Sequence, residues 1–169
     1  AVLHPESAPP LLQTFDQKIE ALGVLGIEQT IVLRFTPEFA SVRAQDFLSD
    51  VVMDRLHARE VYLGKGFAFG HNREGNIELL RRLGSELGFV AGEVPEVKLR
   101  GRRVSSSKIR ELLAQGEVNL ARRMLGRPYG VEARVEHGSE RGHQLGFPTA
   151  NLHPHNRVIP KNGVYVTGT

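Results

Sequence analysis

Cysteine is absent from this 169-residue chain, and so is tryptophan. Without cysteine there is no disulfide framework and no thiolate metal site, a composition that fits a reducing compartment and leads to an expected cytoplasmic location. No apolar run is long enough to span a membrane. The first residues, AVLHPESAPP, hold neither the charged start nor the apolar stretch of a signal peptide. No block of five basic residues occurs, and at 7% aromatics the interleaving of bases and rings typical of a nucleic-acid surface is missing. The net charge of +3 suits small phosphorylated ligands as readily as nucleic acid, so nucleic acid is the weaker expectation. The seven histidines lack metal-ligand spacing; His153 and His155, flanking a proline, are expected in a solvated loop. Nothing in the composition bears on oligomeric state.

What is present is an alternation of helix and strand patterns from Thr14 to Val97. Thr14 and Gln17 have capping-box spacing and open a predicted helix with Phe15, Ile19, Leu22 and Leu25 on one face. Residues 30–35, TIVLRF, read as a β-branched strand. A helix over residues 44–56 would turn Phe47, Leu48, Val51, Val52 and Leu56 inward. A strand at VYLG stops at Gly64, a helix over 76–87 buries Ile77, Leu80, Leu83 and Leu87, and Gly88 ends it. Another strand spans 89–94. Strands alternating with helices predict an α/β fold with a mostly parallel sheet covered on both faces.

Two short helices, over 107–115 and 118–125, are closed by Gly116 and Gly126. Then the period changes. In YGVEARVEH, Val131, Ala133 and Val135 alternate with Glu132, Arg134 and Glu136, as in a half-exposed antiparallel strand. VIP and GVYVTG read as a further strand. A domain boundary is therefore expected at residues 126–128, giving domains over 1–126 and 127–169. The second would have only about 43 residues, which is marginal for a core of its own.

Three segments carry chemistry. In VSSSKIRELL, Ser105, Ser106 and Ser107 precede a helix that bears Lys108 and Arg110 in its first turn. Cations oppose the macrodipole there, and a bound phosphate would resolve the conflict through N–H groups, hydroxyls and cations. The structural alternative is a serine-capped helix with solvated basic residues. In GKGFAFGHNREG, glycines from Gly64 onward follow a strand, Phe67 and Phe69 could stack on a planar ring, and Arg73 could reach phosphate. Core packing of the two rings is the alternative. In HGSERGHQLGFPTANL, a glycine-punctuated loop precedes Thr149 and Asn151. Two apart in extended chain, these share a side and offer hard oxygen ligands for nucleotide-borne Mg²⁺; a polar turn is the alternative.

RGHQLGFPTANL with the later GVY resembles the signature of the riboflavin kinase domain in bacterial bifunctional riboflavin kinase/FAD synthetases. LGRPY at 125–129 resembles the junction into that domain, VSSSKIR the family's Ser-Ser-Thr-x-x-Arg motif, and GKGFAFGHNREGN its ligand loop. HPESAPPLL also matches the family's style, so the resemblance runs through nearly the whole chain in order. It implies a Rossmann-like nucleotidyltransferase domain of the HxGH superfamily, then part of a small antiparallel β-barrel kinase. It implies ATP, Mg²⁺ and flavins (riboflavin, FMN and FAD) as small-molecule partners, with no nucleic acid and no membrane. Ser105, Ser106, Ser107 and Arg110 would stabilise transferring phosphates. Thr149 and Asn151 would hold Mg²⁺ and ATP, beneath a loop from His137 containing Gly138, Arg141 and Gly142. Gly64, Phe67, Phe69 and Arg73 would form the flavin loop.

Departures qualify that expectation. The family's strand with GxFDGxHxGH is not in the chain, nor is the glutamate the family uses as kinase base after Gly163-Val164-Tyr165. Gly66 stands where the family usually has an acid or amide, and Ser107 where it has threonine. The chain as given is therefore expected to be impaired in both reactions. The rival class is an inactive α/β module that binds nucleotide or flavin without turnover.

Overall fold

The computed structural model describes residues 6, 8–137 and 149–168. The chain forms two compact units: Ala1–Ala8 with Val32–Val97, and Pro9–Ile31 with Lys98–Thr169.

In the first unit, helix α2 (Pro37–Ala40) is capped by the Thr36 side chain. Helix α3 (Ala44–Asp46) runs on into a nine-residue π-helical stretch, Phe47–Arg55. Strand β1 (Glu60–Gly64) pairs in parallel with β2 (Val90–Val94), Glu60 opposite Val90 and Gly64 opposite Val94. Helix α4 (Ile77–Leu87) makes the crossover between them. Asn76 caps its start, accepting from the Leu79 N–H at 2.9 Å, and Gly88 ends it at φ +84°. Leu48, Val52, Leu80, Leu83 and Phe89 form the core.

Three expectations fail in this region. Residues 30–35 form no strand, and Ile31, Val32, Leu33 and Phe35 stay exposed. β-Branched side chains favour a strand only where a neighbour completes the ladder and covers a face, and among the described residues no strand pairs there. The parallel pairing is as expected, but Tyr62, Val90 and Val94 are exposed, so the sheet is not covered on both faces. Leu56 also departs from the predicted stripe and is exposed. The wider π winding, seen in the Leu56 N–H bond to the Val51 carbonyl, turns it away from Leu48 and Val52.

The second unit begins with helix α1 (Phe15–Val24) and its complete capping box. A hairpin, β3 (Lys98–Leu99) with β4 (Arg102–Arg103), leads into α5 (Ser106–Gln115) and α6 (Val118–Leu125). Gly116 and Gly126 end the two helices at φ +84° and +73°. Strand β5 (Ala133–Glu136) pairs antiparallel with β6 (Asn151–Pro154). Ile109, Leu112, Leu113, Ala121, Met124 and Val158 form the core.

Corrections fall here too. Of the stripe predicted on α1, Ile19 and Leu22 are half-buried, while Phe15 and Leu25 are exposed. On β5 only Ala133 is partly buried, so the half-exposed face expected there is almost wholly open. Residues 158–168 form no strand, with Val164 and Val166 fully exposed. His153 lies in β6 rather than a loop, though its side chain is exposed as expected. In each case the apolar pattern is present and no described element packs over it.

Asn156 is the polar centre of this unit, only 6% exposed. Its Nδ2 donates to Gln17 Oε1 at 2.8 Å and to the Leu12 carbonyl at 3.2 Å. Its Oδ1 accepts from the Glu132 N–H at 2.8 Å and faces Gln17 Nε2 at 3.5 Å. Beside it the Tyr129 hydroxyl lies 2.7 Å from the Leu12 carbonyl and 2.8 Å from that of Val158. Replacing Asn156 by leucine would keep the size and strand these partners, at about 1–3 kcal/mol for each group left unsatisfied. Urea unfolding of Asn156→Leu is expected to show a loss of about 2–4 kcal/mol.

Burial raises the Tyr129 hydroxyl above its ordinary value of 10.0, partly offset by the Asn156 hydrogen bond and Arg127. The folded state thus holds the phenolic proton more tightly than the unfolded chain. That contribution is complete below pH 10 and is lost as pH rises through the raised folded value. Comparing the wild type with Tyr129→Phe removes other titrations, and the stability gap between them should narrow only above that pH.

Candidate functional site

After β1 the chain makes a compact loop that ends at α4. Gly66, at φ +74°, turns it, and the Phe67 N–H donates to the Gly64 carbonyl at 2.9 Å. Such a backbone suits glycine, which adopts it without the cost a Cβ would bring. Phe69 and Gly75 then exchange both backbone bonds, at 3.1 and 2.9 Å, closing the loop 70–74.

That loop is fastened to the start of α3. Gly70, at φ +73°, lies so close that an added Cβ would stand 2.5 Å from the Ala44 nitrogen. The His71 N–H donates to the Val42 carbonyl at 2.8 Å. Glu74 Oε1 accepts from the Ala44 N–H at 2.8 Å and lies 3.5 Å from Arg43 Nε. The Ala44 bond holds the Glu74 carboxyl below the usual carboxylate range, and Arg43 and His71 add to this.

A cavity of about 260 Å³ opens beside the loop. Phe35, Phe39, Phe47, Phe67 and Phe69 line it, with Arg73 at the same wall. The rings form a chain: Phe35 to Phe39 at 5.8 Å and Phe39 to Phe47 at 6.0 Å, both edge-to-face, then Phe47 to Phe69 at 6.3 Å. Five of the chain's eight phenylalanines meet here, in a protein otherwise poor in aromatics. The volume is near the lower limit of about 300 Å³ for small-molecule pockets, which fits a planar ring system rather than a whole dinucleotide. Phe67, Phe69 and Arg73 were predicted from the loop. Phe35, Phe39 and Phe47 were not, and the signal available was the local concentration of phenylalanine.

The second predicted group opens α5 in the other unit. Ser105 is the N-cap, its Oγ accepting from the Lys108 N–H at 3.3 Å. Ser106 and Ser107 are exposed in the first turn. Lys108 Nζ pairs with Glu111 Oε1 at 2.6 Å, which lowers the Glu111 pKa and offsets the cation's conflict with the dipole. Arg110 Nε donates to the Pro10 carbonyl at 2.7 Å. In the third group, Thr149 precedes β6 and Asn151 is its first residue, opposite Glu136; both are exposed. Gly138, Arg141 and Gly142 lie outside the described residues.

Two glycines of the loop allow a contrast. Gly70→Ala combines a left-handed backbone with a clash against Ala44 and is expected to cost about 2–4 kcal/mol. Gly66→Ala meets open space and should cost only the backbone term, about 1–2 kcal/mol. Urea unfolding of both variants measures the difference.

The sequence pattern of FAD synthetases matches residues 1–108, and that of riboflavin kinases matches residues 125–169. The bifunctional riboflavin kinase/FMN adenylyltransferase of Escherichia coli strain K12 is 36% identical over 160 residues, 95% of this chain and 51% of that protein. The protein of the same description from Buchnera aphidicola subsp. Schizaphis graminum is 32% identical over 164 residues, 96% of this chain and 53% of its own. The chain thus spans about half the length of the curated relatives it matches. A crystal structure described as a macrolide-efflux protein from Streptococcus pneumoniae aligns at a TM-score of 0.80 and 30% identity, over 91% of this chain and 49% of that one. Efflux belongs to that description; here, among the described residues, no helix is long and apolar enough to cross a membrane. With a matching sequence pattern over well over half its length, this chain belongs to the FAD synthetase family.

Proposed function

We propose that the chain forms part of a bifunctional enzyme that phosphorylates riboflavin to FMN and adenylylates FMN to FAD. The observation that carries this is the five-phenylalanine cavity, which lies within the segment matching FAD synthetases. Offset and edge-on rings bind a flat conjugated system well, and the flavin ring is the group that both named activities share. In this reading residues 1–126 are a Rossmann-like nucleotidyltransferase and 127–169 the start of a β-barrel kinase, working on ATP and flavins in the cytoplasm.

In adenylyl transfer, an FMN phosphate oxygen attacks the α-phosphorus of ATP, the bond to the bridging oxygen breaks, and pyrophosphate leaves. The chain's contribution is placement and charge. Within the first unit the flavin ring sits among Phe39, Phe47 and Phe67; within the second, the free N–H groups of α5, Ser105 to Ser107 and Arg110 suit the phosphates of ATP. In the kinase step a riboflavin hydroxyl oxygen attacks the γ-phosphorus, its proton passes to a base, and ADP leaves. Thr149 and Asn151 supply a hydroxyl and a carboxamide oxygen, which fit Mg²⁺ carried by the nucleotide. When bound, that ion neutralises charge on the phosphate oxygens.

The two steps separate by mutation in a protein of the relatives' full length that carries this chain. Arg110→Ala is expected to cut FAD formation from supplied FMN by about 10²-fold or more while sparing FMN formation. Thr149→Val, which keeps the side chain's size, should do the reverse, and Asn151→Leu with it. The double mutant of Thr149 and Asn151 should be little worse than either single one, because residues acting as a unit are not additive. Equal loss of both activities in every variant would overturn the assignment.

A further inference from the structure

The loop that forms one wall of the aromatic cavity is held in a conformation that its own residues disfavour. Asn72 and Arg73 stand at φ +50° and +60°, consecutive left-handed residues within the turn His71–Arg73. Neither is glycine, and a left-handed arginine costs roughly 1–2 kcal/mol. The surroundings leave no room to relax. Phe69 and Gly75 close the loop at its base, Gly70 lies against the Ala44 backbone, and Glu74 is bonded to the Ala44 N–H. Strain that is over-determined in this way collects at ligand clamps.

The arginine so presented is uncommitted. Its neighbour Glu74 is taken by Ala44 and Arg43, and among the described residues Arg73 has no salt bridge. It lines the cavity all the same. An arginine in the wall of a cavity lined by edge-on and tilted phenyl rings matches a ligand that is flat and aromatic at one end and anionic at the other.

We propose that Arg73 makes this cavity selective for a phosphorylated flavin over the unphosphorylated one. The inference rests on the reading of the cavity as a flavin site and adds the source of its specificity. A phosphate can take two parallel N–H···O bonds from the planar guanidinium. A neutral ribityl hydroxyl can take only an ordinary one. The difference between charged and neutral hydrogen bonds corresponds to about tenfold in affinity, and more where the rim excludes water. The left-handed backbone is then the cost of pointing the group at the cavity. Glycine at position 73 would remove that cost together with the selectivity.

Equilibrium titration of the chain with FMN and with riboflavin, followed by flavin fluorescence, tests this without any turnover. The wild type is expected to bind FMN about tenfold more tightly than riboflavin, with the preference shrinking at high salt. In Arg73→Gly, FMN should fall to the level of riboflavin while riboflavin stays within about twofold. The same variant should unfold at higher urea than wild type, because the backbone strain is relieved. Stability gained while selectivity is lost is a result that a structural arginine would not give. A wild type that does not discriminate, an Arg73→Gly variant that keeps the preference, or parallel loss of both flavins would overturn the inference. Phe67→Ala separates the two levels: it should weaken both flavins alike. If neither flavin binds, or Phe67→Ala leaves riboflavin affinity unchanged, the flavin reading of the cavity falls and the role of Arg73 with it.

Discussion

A single buried carboxamide joins three stretches of chain in the second unit. Asn156 follows the strand pair, yet it bonds Gln17 of the first helix, the Leu12 carbonyl before that helix, and the Glu132 N–H at the foot of β5. Gln17 is itself half of the capping box, so the residue that starts α1 also anchors it to chain 139 positions away. Thr14, the other half, donates its hydroxyl to Glu132 at 2.8 Å. Every polar atom of the hub has a partner, and no described buried side-chain polar atom is left without one. In a unit with so small an apolar core, a fully satisfied polar network does the work of fixing which segments meet.

The first unit solves a similar problem with backbone contact. The loop 70–75 contains little that could bury itself, so it is held by close approach. Gly70 admits the Ala44 backbone, and Gly75 admits the Phe69 ring, with no room at either for a Cβ. The same contacts set the wall of the cavity, since Phe67 and Phe69 precede the pinch and Arg73 falls inside it. Stability of the loop and shape of the site are therefore one constraint.

Local signals were legible and long-range ones were not. Thr14 with Gln17 and the glycines at 88, 116 and 126 act within one turn of a helix, and each stands where its spacing placed it. The cap at Asn76 is equally local, but the pattern over 76–87 makes it only the first helical residue. The strand character of residues 30–35 is a property of a partnership rather than of the segment, and no described partner exists. Leu56 was misplaced because a π stretch winds differently from an α-helix with the same residues. Of the cavity, the part within one loop could be read from glycine spacing. Phe35, Phe39 and Phe47 reach it from other segments, so only folding brings them together. Asn156 sits in a polar run that looks like a turn, and its burial depends on partners near the other end of the sequence.

The cations around these sites divide according to how they are already used, and the division bears on what each site can recognise. Lys108 is paired with Glu111 and Arg43 lies against Glu74, so both charges are largely cancelled where they stand. Arg110 has its Nε fixed on the Pro10 carbonyl, which limits the directions in which its guanidinium can present its other donors. An anion arriving at α5 would therefore meet oriented N–H groups, serine hydroxyls and one constrained arginine, a set that rewards geometry more than net charge. Arg73 is handled in the opposite way: no carboxylate among the described residues answers it, and its backbone rather than its side chain is restrained. Its charge is left for whatever enters the aromatic cavity.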